Sequence, residues 1–477
     1  MRDRETVAEI ACLTGLLGYL IWVPLPFGSA SDAALTAFVV PPLLLCAMTA
    51  AVVAWRRGAH LRLTRQGRLW TAGGALFAAF IALQLLPLPD WLLRLLSPQS
   101  LRIWRAAEHV AAMAGVAGRS FHPITVDRTE TAVQLFRVTA YLATFVTAMF
   151  LVRSTRRRVA MVIVLASMAV FESVYAFREA ALGRYQIWGW KNTLIFNRAT
   201  GTFVNPNHFA HYVAIILPLT VLLCAVAWHT AAAPGTSFGR HLALMIETRF
   251  VLLGFGAIAA LACVAGMVIS QSRGAILATV CGFAVTGAMA SGRRHAATRA
   301  VLIAFAVVAL FVTVFLLLGR SGESKHLEER DASSLIGRRS AMHAAFRMWL
   351  EFPLFGSGAG TFESLAPRAQ DTADPRIANH AHNDYLETLA TTGAIGFLLG
   401  LVPLMGGAAA VARAAFGARA AAESSWRRRA FCAAALTSIV IALVHALIDF
   451  NFYIPANPAT LAAIAGAAAA VKSPARR

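Results

Sequence analysis

Ala33 to Arg68 reads AALTAFVVPPLLLCAMTAAVVAWRRGAHLRLTRQGR. Up to Trp55 the segment is free of charge. It then meets Arg56, Arg57, Arg62, Arg65 and Arg68 with no intervening acid. About 20 apolar residues make a helix long enough to cross a ~30 Å hydrocarbon core. The same alternation of apolar run and Arg-rich loop recurs along all 477 residues, of which 58% are hydrophobic and 14% charged. Soluble domains carry about 25% charge, so a set of ordinary soluble domains is excluded.

Eleven further spans are expected, at about Val7–Phe27, a third ending near Pro87 and Pro89, Thr131–Val152, Val159–Phe177, His208–Trp228, Phe250–Ile269, Gly274–Ala290, Ala300–Gly319, Thr392–Ala412, Ala430–Leu447 and Pro458–Val471. Residues 1–319 thus hold spans one to nine, and 392–477 hold spans ten to twelve. Of the 43 basic residues 40 are Arg, and the net charge is +20. Such a balance often marks a nucleic-acid binder, but here the Arg residues sit in short loops. The two termini and the alternate loops that share their face hold 24 basic and four acidic residues. The opposite face holds 18 and 17. Positive charge collects on the cytoplasmic side, so both termini are expected there. Gly28-Ser29-Ala30 offers a signal-peptide cleavage site, but the leading RDRE is not clearly positive and an uncleaved first span is the expectation.

Two outer loops stand out, 88–130 and the larger 320–391. In the second, the spacing of Leu335, Ile336, Met342, Phe346, Trp349 and Leu350 predicts an amphipathic helix ended by Pro353. Another helix is expected from about His380 to Gly393. GSGAGTF (Gly356, Gly358, Gly360) resembles a phosphate-cradling loop, but lacks the preceding strand and reads as a tight turn. The six cysteines lie inside predicted spans, as small apolar residues rather than disulfide partners.

Ionisable groups in or beside spans are functional hypotheses by default. They are Arg137, Glu172, Arg178, Arg198, His208, His211, Arg273, His445 and Asp449, and all fall in the outer half. Each has a bland alternative. Glu172 and Arg137 can neutralise each other, Arg178, Arg198, Arg273 and Asp449 can snorkel, and His208 and His211 can be interfacial hydrogen bonders. Their one-sidedness is the stronger signal. An alternating-access transporter carries polar groups near the midplane. An enzyme acting from outside on a membrane-anchored substrate needs only the outer half.

NHAHNDYLETLATTGAIG (Asn379–Gly396) resembles the signature of the O-antigen ligase and polymerase superfamily. RATGTFVNPNHFA (Arg198–Ala210), SQSRGA (Ser270–Ala275) and PLFGSGAGTF resemble further segments of it. HALIDFNFYIPAN (His445–Asn457) resembles a variant of exopolysaccharide members. The likeness runs from about Arg198 to Asn457. It implies a GT-C-type membrane glycosyltransferase that moves a glycan from a polyprenyl (undecaprenyl) diphosphate to an acceptor hydroxyl at the periplasmic face of the inner membrane. By motif position His382 is the general base, with His380 as runner-up, and Arg198 and Arg273 grip the diphosphate. Asn207, Arg338, Arg339, Asn383, Asp384 and Asp449 are supporting candidates. Arg holds phosphate bidentately and stays charged, so neither a metal nor another cofactor is expected; Asp384 and Glu387 are the fallback ligands. The Asp449-Phe450-Asn451 and Pro455-Ala456-Asn457 pattern favours a polymerase. Alternatives are a ligase using lipid A–core, a protein O-oligosaccharyltransferase, and a lipid-linked glycan flippase.

Overall fold

The longest apolar runs set the architecture, and the chain is an all-α polytopic membrane protein. The computed structural model describes residues 7–55, 63–116, 118, 120–191, 198–231, 235–291, 324–370, 378–417 and 426–470. In chain order come α1 (Val7–Trp22), α2 (Asp32–Trp55), α3 (Arg65–Leu85), α4 (Asp90–Leu96), α5 (Pro98–Met113), α6 (Arg128–Leu151), α7 (Thr155–Ala181) and α8 (Pro206–Ala231). There follow α9 (Phe238–Ile269), α10 (Arg273–Ser291), α11 (Ser324–Glu351), α12 (Phe362–Ala369), α13 (Asp384–Phe416), α14 (Trp426–His445) and α15 (Ala456–Ala468). Nine of the described helices are long and apolar enough to cross a membrane: α2, α3, α6 to α10, α13 and α14. The expected ninth span, Ala300–Gly319, lies outside the described residues.

Two expected spans differ in form. The first ends at Trp22, because Pro24 and Pro26 follow and Phe27, Gly28 and Ser29 turn with positive φ. The last is the 13-residue α15, about 20 Å long at 1.5 Å per residue, and it is almost wholly buried. It packs against α6, α8 and α14. An apolar run of this length is as well suited to a protein core as to a bilayer.

α8 is apolar on every side and is buried over most of its length among α7, α9, α10, α14 and α15. A helix without a polar face is at home in a core or in lipid, and here neighbouring helices enclose it. Small residues bring other helices close. A Cβ on Gly73 would lie 2.1 Å from Pro403 Cβ, and one on Gly407 would lie 2.2 Å from Trp70. All six cysteines are free and lie in helices. The loop between α3 and α6 carries a two-residue strand pair, β1 (Leu88–Pro89) with β2 (Phe121–His122). A buried His122 is clasped there between Asp90 (2.9 Å) and Glu108 (3.0 Å).

The segment that reads as two helices meeting at Gly393 is one continuous element with a break at that residue (φ 64°, ψ −177°). The N–H groups freed by the break are taken by the preceding turn: Ala394 N donates to Pro353 O (2.9 Å) and Ile395 N to Leu354 O (3.1 Å). In return Ser357 N and Gly358 N donate to the carbonyls of Ala390 and Thr391. Gln84 of α3 locks the arrangement, donating to Phe355 O (2.7 Å) and Thr391 O (3.1 Å) and accepting from Ala359 N (3.0 Å). The Gly-rich stretch is therefore a turn, with positive φ at Gly356, Gly358 and Gly360. It has no phosphate-loop geometry.

Gly393 occupies a backbone region open essentially to glycine alone, where another residue costs about 1–3 kcal/mol. A Cβ there would also lie 2.3 Å from Leu354 C and O. Gly393→Ala should sharply reduce folded yield and thermal midpoint in detergent. Gly400→Ala should not, because its Cβ meets only Phe77 at 3.6 Å. Equal stability of the two variants would contradict this account of the break.

Candidate active site

Four chain segments converge at one end of the bundle: the approach to α8, the α9–α10 junction, the start of α13 and the stretch after α14. At the start of α13, Asn383 accepts from Tyr385 N and Leu386 N (both 3.0 Å) and donates to Leu447 O (2.9 Å). It is the N-cap, a position that favours Asn, and it ties the helix to the segment after α14. Asp384 N donates to Ala446 O (2.9 Å), which fixes the same seam. His382, just before the cap, takes φ 51°. Left-handed backbone is uncommon for a side-chain-bearing residue, and here its neighbours hold it on both sides.

Asp449 is the centre of the cluster and is buried. Its Oδ1 lies 3.3 Å from His382 Nδ1 and 3.8 Å from His208 Nε2, and accepts from Phe450 N at 3.0 Å. Its Oδ2 accepts from Asn207 Nδ2 (2.8 Å), and Arg338 Nη2 approaches to 3.9 Å. Burial alone would raise this carboxyl. Interactions with His208 and His382 and the charge of Arg338 outweigh it and hold Asp449 well below the usual carboxylate range. Asn207 Oδ1 in turn accepts from Arg198 Nη2 (2.9 Å), and Arg198 Nε donates to Ser270 O (2.9 Å). Arg198, Asn207, Asp449 and His382 thus form one continuous polar chain.

The other expected residues divide between site and scaffold. Arg338 joins the site, because its Nη1 also donates to Ile448 O (3.0 Å). Arg339 is exposed beside it and Arg347 is turned to Ala369 O, so neither is drawn in by a described contact. Arg273 opens α10 as an exposed side chain at the same end. Gly274 next to it faces His445, whose Nε2 would be 2.9 Å from an added Cβ. His380 is committed elsewhere: its Nδ1 lies 2.8 Å from Glu387 Oε1, while Glu387 Oε2 accepts from Ala381 N at 2.7 Å. Asp384 is buried and accepts from Phe452 N (3.2 Å), which makes it a support for the turn Asn451–Tyr453. Among the described residues no three His, Cys, Asp or Glu side chains are grouped as metal ligands.

Three features escaped the sequence reading. Phe450 is surrounded by imidazoles, with ring centroids 4.1 Å from His380, 4.5 Å from His208 and 4.9 Å from His382. Nothing in a single sequence marks a phenylalanine for such a place. His208 and His211 are buried rather than interfacial, and His211 Nδ1 is 3.0 Å from His445 Nδ1. Glu172 bonds Thr202, at 2.8 Å to its N and 2.7 Å to its Oγ1, rather than Arg137. The outer-half placement of these histidines and of Glu172 was the only available signal.

Residues 258–401 match the protein-family model described as O-antigen ligase. That match makes the segment similar to the O-antigen ligase/polymerase superfamily and supports such an assignment. No curated protein matches it. The apolar helices make this a multi-pass membrane protein, and the family match supports a glycan-transferring class. The O-antigen ligase match takes in Arg273, Arg338, His382 and the Gly393 break. Arg198, Asn207 and Asp449 lie outside it and reach the cluster through the fold.

The depressed carboxyl has a consequence for stability. Its contribution is full above the unfolded carboxylate value, about 3.9, and is lost as pH falls through the lower folded value. Asp449→Asn should cost about 1–3 kcal/mol at pH 7. The gap to wild type in thermal midpoint should narrow once pH drops below about 4. Thermal unfolding between pH 3 and 7 reads this out, and a gap independent of pH would show that Asp449 is not held ionised.

Proposed function

We propose that this protein transfers a glycan from a polyprenyl diphosphate carrier to a sugar hydroxyl at the periplasmic face of the inner membrane. The Arg198–Asn207–Asp449–His382 chain carries the reading. An ionised Asp449 next to His382 Nδ1 favours the tautomer with the proton on that nitrogen. Nε2 is then free to accept the proton of the acceptor hydroxyl as its oxygen attacks the anomeric carbon. The bond from that carbon to the diphosphate oxygen breaks, and the bonding pair leaves with the carrier. Arg198 and Arg273 stabilise the charge that develops there, an effect that is strong in a site screened from water. No metal is assigned a role.

The reaction we favour is polymerisation, in which donor and acceptor are both lipid-linked glycans. Support comes from the exopolysaccharide-like Asp449-Phe450-Asn451 segment, which forms the wall of the cluster. A ligase acting on lipid A–core would use the same chemistry on a different acceptor. A flippase has no need of a base–carboxylate pair beside a phosphate grip.

Purified protein given only a lipid-linked repeat unit should build a ladder of longer glycans. His382→Asn should abolish it at wild-type yield, because Asn tolerates the left-handed backbone while removing the base. Arg273→Lys should retain about a tenth of the rate or less, since a point charge cannot form the bidentate fork. Activity should survive EDTA. Wild-type turnover in His382→Asn would sink the base assignment, and EDTA loss restored by Mg²⁺ would move Asp384 or Glu387 to a metal.

Orientation has its own test. A topology reporter placed near Asp374 should read periplasm, and one after Arg429 should read cytoplasm. A cytoplasmic reading near Asp374 would put the cluster in the wrong compartment.

A further inference from the structure

Glu172 sits in α7 nine residues before its end, about 13 Å inside the helix at 1.5 Å per residue. It is fully buried. Its Oε2 accepts from Thr202 N at 2.8 Å, and its Oε1 lies 2.7 Å from Thr202 Oγ1. The same Thr202 Oγ1 lies 2.7 Å from Pro24 O. Two oxygen–oxygen contacts of hydrogen-bond length therefore meet at one hydroxyl. A hydroxyl owns one proton and a carbonyl owns none. A neutral Glu172 would supply the second proton: the acid would donate to Thr202 Oγ1, which donates to Pro24 O, while Thr202 N donates back to the acid. Every polar atom is then satisfied.

The latch holds the segment that carries Arg198. Thr202 is four residues from Arg198. Gly201 between them takes φ 57°, and a Cβ there would be 2.5 Å from Glu172 Oε2 and 2.9 Å from Phe209. Phe203 N donates to Thr200 O (3.0 Å), so the segment is a closed turn with Thr202 at its buried tip. At its other end Arg198 points back to Ser270 O and Asn207.

We infer that Glu172, as a neutral acid bonded to Thr202, is a positioning residue that fixes the Arg198 segment for the donor diphosphate. This rests on the reading of Arg198 given above. Gln reproduces the pattern of a neutral acid, with one carbonyl acceptor and an N–H donor at the second position. An ionised partner would not be replaced by Gln.

Two readouts on purified protein test it. Amide hydrogen exchange over residues 198–205 reports the latch directly. The donor KM reports its use. Glu172→Leu and Thr202→Val should each speed exchange in that segment and raise the donor KM about tenfold or more, leaving the acceptor KM within about threefold. Glu172→Gln should match wild type in both. If Glu172→Gln behaves like Glu172→Leu, the neutral-acid latch is wrong. If exchange rises while the donor KM holds, the positioning role is wrong. Should wild type transfer no glycan at all, the proposed activity falls, and farnesyl diphosphate binding takes the place of the donor KM. Weaker binding in Glu172→Leu but not in Glu172→Gln would still support the latch, and equal binding in all three would overturn it.

Discussion

The arrangement depends on one buried carboxylate. An ion in a medium of low dielectric is tolerated only when its oxygens are met by donors or charges. Asp449 meets that condition with four groups from three places in the chain: Asn207 and His208 at the start of α8, Arg338 in α11 and His382 before α13. No two of its side-chain partners outside the α8 start come from the same helix, so its presence specifies how those segments must approach one another. Removing one partner leaves charge behind, whereas an apolar residue in its place would leave the approach unspecified. The geometry of the polar cluster and the fold at this end of the bundle are thus set by the same requirement.

Around that point the protein uses rigid supports. The break at Gly393 is held by the turn after Pro353, and that turn is held by Gln84 from α3. Asn383 caps the same helix at its other limit. Between the two, α13 has too little freedom to tilt, and His382 is carried on a support fixed at both ends. Phe450 adds a flat wall against which three imidazoles rest.

Much of this was legible in the sequence because the relevant signals are local. Apolar length gives the spans, as at Ala33–Trp55. Positive-φ demand gives the Gly356–Gly360 turn and the stop at Gly393. Asn383 followed by Asp384 and Glu387 is a helix start written in donors and acids, although the sequence reading places its onset at about His380 rather than four residues later at Asp384. Pairings were not legible. His380 and His382 have the same neighbours in sequence, yet one faces Glu387 and the other Asp449, and only the chain's path after His445 decides which. The choice of Arg338 over Arg339 is likewise a matter of helix phase. The run after Pro458 reads as a twelfth membrane span because enclosure and immersion select the same residues.

That enclosed run has a kinetic meaning. α15 is surrounded by α6, α8 and α14, all of which leave the ribosome before it. Helices that insert one by one associate afterwards within the membrane. α6, α8 and α14 therefore complete their packing against α15 only once it is present. Asp449 comes late as well, so the polar chain that it forms with Asn207 and His382 closes only after α14 has been made.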